Sequence, residues 1–185
     1  MQNIFTQFAM AVVTALLFVL MLVVNEWMFA SLIFTQGANW IYLPAGVRLL
    51  CTLLFAEAGA AGLLIGAWLT GFFYFFPGDW WRSFSGAIVA TLAPYGMYCA
   101  ARRYMGLNRS LVSLTPKRLL WLGLIYALAN GSAYQVWLVF RGQGMDLERF
   151  LVTIWGDFSG TLIVLYAFKA VLMLLPEPGD RHGLK

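Results

Sequence analysis

Five polar side chains stand inside long apolar stretches of this chain, where ionisable residues are rare. Arg48, Asp157 and Glu26 carry charges, and Asn130 and Gln135 add hydrogen-bonding amides. At the centre of a bilayer an Arg or Asp costs roughly 2.5 to 3.5 kcal/mol on insertion scales, so such residues persist mainly where they are paired or functional. Two acids facing one base would leave a negative excess able to hold a cationic ligand or a proton. The alternative is a salt bridge between Arg48 and Asp157 that locks a helix bundle, with the two amides as interhelical hydrogen bonds.

Residue patterns that carry catalysis are not found in the sequence. The single histidine, His182, lies close to the C-terminus, so no histidine cluster is available for a metal or haem and no Ser-His pair can form within the apolar stretches. Glycine-rich phosphate loops and metal-ligand carboxylate pairs are also missing. We therefore expect no bound metal, no cofactor and no catalysis by this chain itself.

The composition is that of a protein built into a membrane. Of its 185 residues, 62% are apolar, 17% are aromatic and 11% are charged, which excludes a disordered chain and a soluble helical domain. The net charge of +4 raises the question of nucleic acid, but the basic residues cluster beside apolar stretches, where they commonly set orientation. We expect the lipid bilayer as the surroundings and no nucleic-acid partner.

Six stretches are long enough to cross a hydrocarbon layer of about 30 Å, which takes roughly 20 helical residues. Turn-forming residues separate most of them, whereas the second and third are joined so closely that they must form an antiparallel hairpin. The sequence predicts one all-α membrane domain over residues 1–185, a six-helix bundle with a short cytoplasmic tail at 176–185. The six predicted spans lie at about 8–34, 40–56, 58–76, 84–101, 116–140 and 150–175. Because the first contains Asn25 and Glu26, either its helix ends near Val24 with an interfacial tail or it is one long tilted helix.

A basic loop predicts the orientation of this bundle. The loop between the fourth and fifth spans carries five basic residues and no acid, whereas the opposite side carries both signs of charge. The positive-inside rule makes such a loop cytoplasmic, and an even number of spans then puts both termini in the cytoplasm. The basic residues are Arg102, Arg103, Arg109, Lys117 and Arg118.

The orientation gives the charged residues a depth. The second and sixth spans both begin on the outer side, and Arg48 and Asp157 follow the starts of their spans by similar distances. At about 1.5 Å per residue they lie at nearly equal depth, so they can meet. Glu26, Asn130 and Gln135 fall in the same outer half. The sequence therefore predicts one polar layer to which four spans contribute.

Small residues repeat at four-residue spacing on three spans and predict close helix packing. Packing within the bundle is one interpretation, and docking on another membrane subunit is the other. The positions are Ala11 and Ala15 on the first span, Gly62 and Gly66 on the third, and Gly156 and Gly160 on the sixth.

Three stretches combine glycines with apolar runs, and they read WIYLPAGVRLLCTLLF at 40–55, GLLIGAWL at 62–69 and WGDFSGTLIVL at 155–165. These stretches resemble the first type of bacterial membrane-associated sensor (MASE) domain. The resemblance implies a helical sensor of the bacterial inner membrane that passes a signal to a histidine kinase or a cyclic-dinucleotide enzyme. The positions that match are Pro44, Gly46, Gly62, Gly66, Gly156, Asp157 and Gly160.

Two other classes of membrane protein also fit the sequence. The chain is similar in size and span number to the substrate-binding subunits of energy-coupling-factor vitamin transporters, in which an Ala-x-x-x-Ala face, here Ala11 and Ala15, docks a partner. A structural accessory subunit of a larger membrane complex needs no ligand at all. We expect a sensory or ligand-binding membrane subunit that binds a small molecule and acts through another membrane or signalling protein.

Overall fold

The computed structural model describes residues 3–35, 37–104 and 115–174, which form a mostly helical bundle. Arg109 and the predicted tail at 176–185 lie outside these residues. In chain order the elements are α1 (Ile4–Met28), a 3-10 turn (Ala30–Leu32), β1 (Ile33–Thr35), β2 (Ala38–Asn39), α2 (Leu43–Thr70, continued by a π-helix over Gly71–Phe75), α3 (Trp80–Tyr104), α4 (Pro116–Phe140) and α5 (Leu147–Leu174).

Four helical stretches are long and apolar enough to cross a membrane, namely α1, α2 with its π-helical end, α3 and α5. Large apolar side chains such as Phe5 and Leu16 are exposed on the outside of α1, as expected of a helix that faces lipid. α4 is less apolar, since Asn130 and Gln135 interrupt its run. The chain is therefore a helical membrane protein, as its composition predicts.

The chain reverses direction within α2, at Ala56. Ala56 has φ 53° and ψ −123°, and helical geometry resumes on both sides of it. A Cβ added at Gly59 would collide with the Cys51 carbonyl and lie 3.2 Å from the Thr52 Cα. In an uninterrupted helix, residues as far apart in sequence as Cys51 and Gly59 are separated by about 12 Å. α2 is therefore a hairpin, and we call its two helices the first arm (residues 43–55) and the second arm (residues 57–75).

The first three helical segments run antiparallel to one another in chain order. Asn25, near the end of α1, accepts a hydrogen bond from Leu43 at the start of the first arm. The reversal at Ala56 turns the second arm back along α1. Gly71, near the end of the second arm, lies against Ser83 near the start of α3.

The remaining segments continue this alternation. Trp137, near the end of α4, donates a hydrogen bond to Ser85 near the start of α3, so these helices are also antiparallel. Tyr134 of α4 accepts a hydrogen bond from Arg149 at the start of α5. Six helical segments thus alternate in direction: α1, the first arm, the second arm, α3, α4 and α5.

The two ends of this bundle differ in charge. The end where α3 finishes and α4 begins holds Arg102 and Arg103 in the last turn of α3 and Lys117 and Arg118 in α4, and we call it the basic end. The turn at Ala56 lies at the same end, because the segments alternate. The opposite end, which we call the mixed-charge end, joins the second arm to α3 and α4 to α5. There Arg141 and Asp79 form an ion pair of 3.7 Å.

Two helices begin earlier than the predicted spans at 84–101 and 150–175. α3 begins at Trp80 and α5 at Leu147, each just after an aspartate. The Asp79 carboxylate accepts the Arg82 N–H at 2.9 Å, and the Asp146 carboxylate accepts the Arg149 N–H at 3.0 Å. Aspartate in this position satisfies N–H groups that a helix start leaves without partners.

The predicted first span at 8–34 is too long, since α1 ends at Met28. The chain then forms a 3-10 turn and two short antiparallel strands before α2, and we call residues 30–42 the connecting segment. Hydrogen bonds hold this segment in place: Trp40 N–H donates to the Leu32 carbonyl at 3.0 Å, and Tyr42 N–H donates to the Gly156 carbonyl at 3.0 Å. Asn25, the last buried residue of α1, accepts the Leu43 N–H at 2.8 Å and so links the end of α1 to the start of α2.

Two apolar clusters hold the segments together. The larger joins the first arm to α3, α4 and α5, and the smaller joins α1, the second arm and α3. Burial of these side chains positions the polar residues of the bundle. The cluster members with the least exposed surface are Phe18, Ala45, Leu49, Leu63, Leu122 and Tyr126.

Candidate ligand cavity

A cavity of about 100 Å³ lies in the half of the bundle nearer the mixed-charge end. The connecting segment, both arms of α2, α3, α4 and α5 contribute to its wall. A water molecule needs roughly 10 to 15 Å³, and an engineered cavity of about 150 Å³ binds benzene, so this volume suits a small solute. Its polar lining residues are Asn39, Tyr42, Arg48, Thr70, Ser83, Asn130, Tyr134, Thr153 and Asp157.

Arg48 lies in this wall between two aromatic rings. Its guanidinium carbon is 5.0 Å from the centre of the Phe18 ring and 5.4 Å from that of Tyr42, within the range of a cation–π contact. Nη2 donates a hydrogen bond of 3.3 Å to the Tyr42 hydroxyl. The buried Nε atom has no hydrogen-bond partner among the described residues. Arg48 is therefore fixed in position while retaining unused donor capacity.

Tyr42 precedes the first arm and supports Arg48. A tyrosine phenol is uncharged at physiological pH. It accepts the Arg48 hydrogen bond without cancelling the charge of the guanidinium.

Asp157 contributes the opposite charge from α5. It is only 2% exposed, and its Oδ2 atom accepts a short hydrogen bond of 2.6 Å from Asn130 Nδ2 on α4. No other hydrogen bond from the described residues reaches this carboxylate. Asp157 is thus oriented by one neutral donor, and its second oxygen remains available.

Arg48 and Asp157 do not form an ion pair with each other. Within the described residues, the ion pair that the structure shows is that of Arg141 with Asp79. Arg48 and Asp157 both line the same cavity. Each charge has a neutral hydrogen-bond partner, and the direct salt bridge considered from the sequence is not formed.

Two residues of the predicted polar layer lie elsewhere. Glu26 is not in the cavity wall and instead accepts a hydrogen bond of 3.3 Å from Tyr74 at an exposed position. Gln135 is buried, 4% exposed, but it also lies outside the cavity wall, and its Nε2 atom has no partner among the described residues. Helix rotation explains the position of Glu26, because its neighbour Asn25 takes the fully buried position on α1. Gln135 is buried in a part of the bundle that does not border the cavity.

Several residues of the site were not singled out from the sequence. Ser83 is 1% exposed, lines the cavity, and its hydroxyl has no hydrogen-bond partner among the described residues. Tyr134 lines the cavity next to Gly37 of the connecting segment and accepts a hydrogen bond of 3.1 Å from Arg149. The sequence feature that could have identified Tyr134 is its four-residue spacing from Asn130, which puts both side chains on the same face of α4.

The small residues of α1 and the second arm pack on each other. A Cβ added at Gly62 would collide with the Ala11 carbonyl, and one added at Gly66 would lie 3.3 Å from the Ala15 Cα. The face formed by Ala11 and Ala15 is thus covered by the second arm of the same chain.

Gly156 and Gly160 on α5 serve a different contact. A Cβ at Gly156 would collide with the Asn39 carbonyl, and one at Gly160 with the Tyr42 carbonyl. These glycines let the connecting segment, rather than a helix, lie directly on α5 beside Asp157. They bring the backbone of the connecting segment into the cavity wall.

No group of three histidine, cysteine, aspartate or glutamate side chains in the described part of the chain is placed to hold a metal ion. No family model matches the chain, and no curated protein or solved structure matches it either. The resemblance to membrane-associated sensor domains stays a prediction from the motifs.

Proposed function

We propose that this protein binds a small polar molecule in the cavity between its helices and signals the presence of that molecule to a partner protein. The observation that carries this proposal is that Arg48 and Asp157 both line one cavity without pairing with each other. Charges kept in apolar surroundings for structure alone are expected to be paired directly. Two unpaired charges that line the same cavity are suited to bind a ligand between them.

The proposal includes a topology of six membrane crossings in the bacterial inner membrane, with both termini in the cytoplasm. The alternating directions of the six helical segments support this topology. The basic end, with Arg102, Arg103, Lys117 and Arg118, then faces the cytoplasm by the positive-inside rule. The cavity opens in the outer half, where a molecule from the periplasm would bind.

The sensor resemblance agrees with the location of the cavity. Asp157 lines the cavity, and Gly156 and Gly160 bring the connecting segment against α5 beside it. Three motif residues thus lie at or beside the proposed ligand site. A signal from this site would leave through a histidine kinase or a cyclic-dinucleotide enzyme, as the resemblance implies, since no constellation for catalysis is found in this sequence.

A substrate-binding subunit of a small-molecule transporter is the second candidate, because a cavity lined by the connecting segment also suits a transported substrate. Its expected docking face does not support it, since Ala11 and Ala15 are covered by Gly62 and Gly66. A structural accessory subunit, the third class, gives no reason for a cavity lined by both charges.

A matched pair of variants tests ligand binding. A Cβ at Gly86 would lie 3.6 Å from the Trp137 ring in the cavity wall, whereas a Cβ at Gly96 on the same helix meets nothing within 4 Å. Gly86→Leu should therefore fill the cavity, and Gly96→Leu should leave it unchanged. After mild-detergent purification from native membranes, native mass spectrometry should find a retained small molecule on the wild type and on Gly96→Leu but not on Gly86→Leu.

The proteins that copurify separate the three classes. A histidine kinase or cyclic-dinucleotide enzyme supports the sensor, a transporter energising subunit supports the second candidate, and an enzyme complex in fixed stoichiometry supports the third. Retention of the same small molecule by Gly86→Leu, or its absence from the wild type, would overturn the proposed ligand site.

A further inference from the structure

We infer that the molecule held in this cavity is a small zwitterion, with its anionic group at Arg48 and its cationic N–H group at Asp157. This inference rests on the proposed ligand-binding function and specifies its ligand class. It follows from three features of the wall: a cation with unused donors, an anion with an unused oxygen, and a volume that limits the size of the ligand.

The Arg48 side provides the anion site. Phe18 and Tyr42 sandwich the guanidinium and fix its plane, and the Nε atom has no partner among the described residues. A planar guanidinium with free N–H groups matches a carboxylate, which it can bind through two parallel hydrogen bonds. Tyr42, which is neutral, does not compete for the positive charge.

The Asp157 side provides the cation site. Asn130 occupies one carboxylate oxygen and leaves the other without a hydrogen bond from the described residues. A buried carboxylate is poorly solvated, so it favours a partner that brings both charge and N–H donors. A primary ammonium group meets both requirements. An anionic ligand without such a group would bind Arg48 and leave Asp157 unsatisfied.

The remaining wall limits the ligand to a small molecule. Ser83 presents a buried hydroxyl with no partner among the described residues, which can hydrogen-bond either end of the ligand. Ala87 and Ala90 of α3 and Ala67 of the second arm provide the apolar wall. With a volume of about 100 Å³, below the engineered cavity of about 150 Å³ that admits benzene, the ligand has about six non-hydrogen atoms or fewer, the size of glycine or alanine.

Titration calorimetry of the purified full-length protein in detergent tests the ligand class. The probes are glycine and L-alanine as zwitterions, acetate and propionate as anions, methylammonium and ethylammonium as cations, and acetamide as a neutral molecule. We expect a zwitterion to bind at least about tenfold more tightly than any probe with one charge or none, which corresponds to about 1.4 kcal/mol. Binding of acetate or methylammonium as tight as that of the matched zwitterion overturns the inference.

Charge-neutral variants test the two contacts separately. Arg48→Met and Asp157→Asn keep the approximate size of each side chain and should each weaken zwitterion binding about tenfold or more. Arg102→Gln and Glu57→Gln, which remove exposed charges away from the cavity, should change it less than twofold. If a neutral variant fails to fold, the comparison among probes on the wild type decides the inference alone.

The two proposals fail in different ways. If native mass spectrometry finds a retained molecule that Gly86→Leu loses, but zwitterions do not bind, the ligand-binding function stands and the zwitterion is wrong. If Gly86→Leu still retains the small molecule, the cavity is not a ligand site and both proposals are wrong.

Discussion

Arg48 and Asp157 lie at the same cavity, yet each is hydrogen-bonded to a neutral neighbour, Arg48 to Tyr42 at 3.3 Å and Asp157 to Asn130 at 2.6 Å. The stability of the bundle should therefore depend on these two separate pairs more than on the attraction between the charges. This arrangement differs from a salt bridge that holds two helices together.

The pair of Asn130 and Asp157 should show strong energetic coupling in the ligand-free protein. Asn130→Leu leaves the buried carboxylate without its donor, and loss of one partner of a buried hydrogen bond costs about 1 to 3 kcal/mol, more for a charged group. Removing both partners in Asn130→Leu/Asp157→Leu should recover most of that loss. Thermal unfolding in detergent of the wild type, the two single variants and the double variant completes this double-mutant cycle.

The matching cycle with Arg48→Leu and Asp157→Leu serves as the comparison. It should show a smaller recovery, because these side chains do not touch. Full recovery in the double variant would mean that Arg48 and Asp157 form the direct salt bridge after all.

The hairpin turn should be stabilised by glycine. Ala56 has φ 53°, a conformation that costs an L-residue on the order of 1 kcal/mol or more and that glycine adopts freely. Ala56→Gly should therefore raise the unfolding temperature, whereas Ala61→Gly, at an exposed helical position nearby, should lower it by an amount corresponding to about 0.5 to 1 kcal/mol. A loss of stability in Ala56→Gly would contradict a sharp reversal at this residue.

The contact between α5 and the connecting segment should not tolerate a methyl group at Gly156. Gly156→Ala pushes a Cβ into the Asn39 carbonyl, and such overpacking typically costs about 1 to 3 kcal/mol. Gly144→Ala, at a position with open space around it, is the control. Hydrogen exchange should show faster exchange of the Tyr42 amide in Gly156→Ala, with no change in the control; equal exchange in both variants would refute the contact.

The six-crossing topology can be tested with reporter fusions. Alkaline phosphatase fused after Asn108 should be inactive, because the basic loop is expected in the cytoplasm, and a fusion after Gln143 should be active. A single cysteine at Glu57→Cys, with Cys51 and Cys99 replaced by Ala, should react with impermeant thiol reagents only in inside-out vesicles. Labelling of this cysteine from the periplasm would show that the α2 hairpin enters the membrane from the other side.

The sequence predicted the helical membrane class and the position of the hairpin turn, because long apolar runs and turn residues report directly on both. It left the end of α1 open between Val24 and Phe34, since the apolar run continues past Asn25 and Glu26, and the helix ends between these limits at Met28. The predicted spans at 84–101 and 150–175 leave out Asp79 and Asp146. In the structure their side chains cap the starts of α3 and α5.

The site was predictable in part, for a similar reason. Depth along a helix follows from counting residues, so Arg48, Asp157 and Asn130 were placed at a common level. Rotation about the helix axis does not follow from counting when nearly every face is apolar. Glu26 lies at an exposed position and Gln135 is buried outside the cavity wall. A serine near a helix start, such as Ser83, gives no distinguishing signal in the sequence, because serine is common there.

The first arm is shorter than the membrane it is proposed to cross. Residues 43–55 cover about 20 Å at 1.5 Å per residue, against a hydrocarbon thickness of about 30 Å. Part of the remaining depth falls to the connecting segment, whose backbone donors at Trp40 and Tyr42 are already satisfied within the protein, the condition for non-helical backbone inside a bilayer. Such hydrophobic mismatch is relieved where the lipid layer is thin, so lipids with shorter acyl chains should stabilise this protein more than long-chain lipids do.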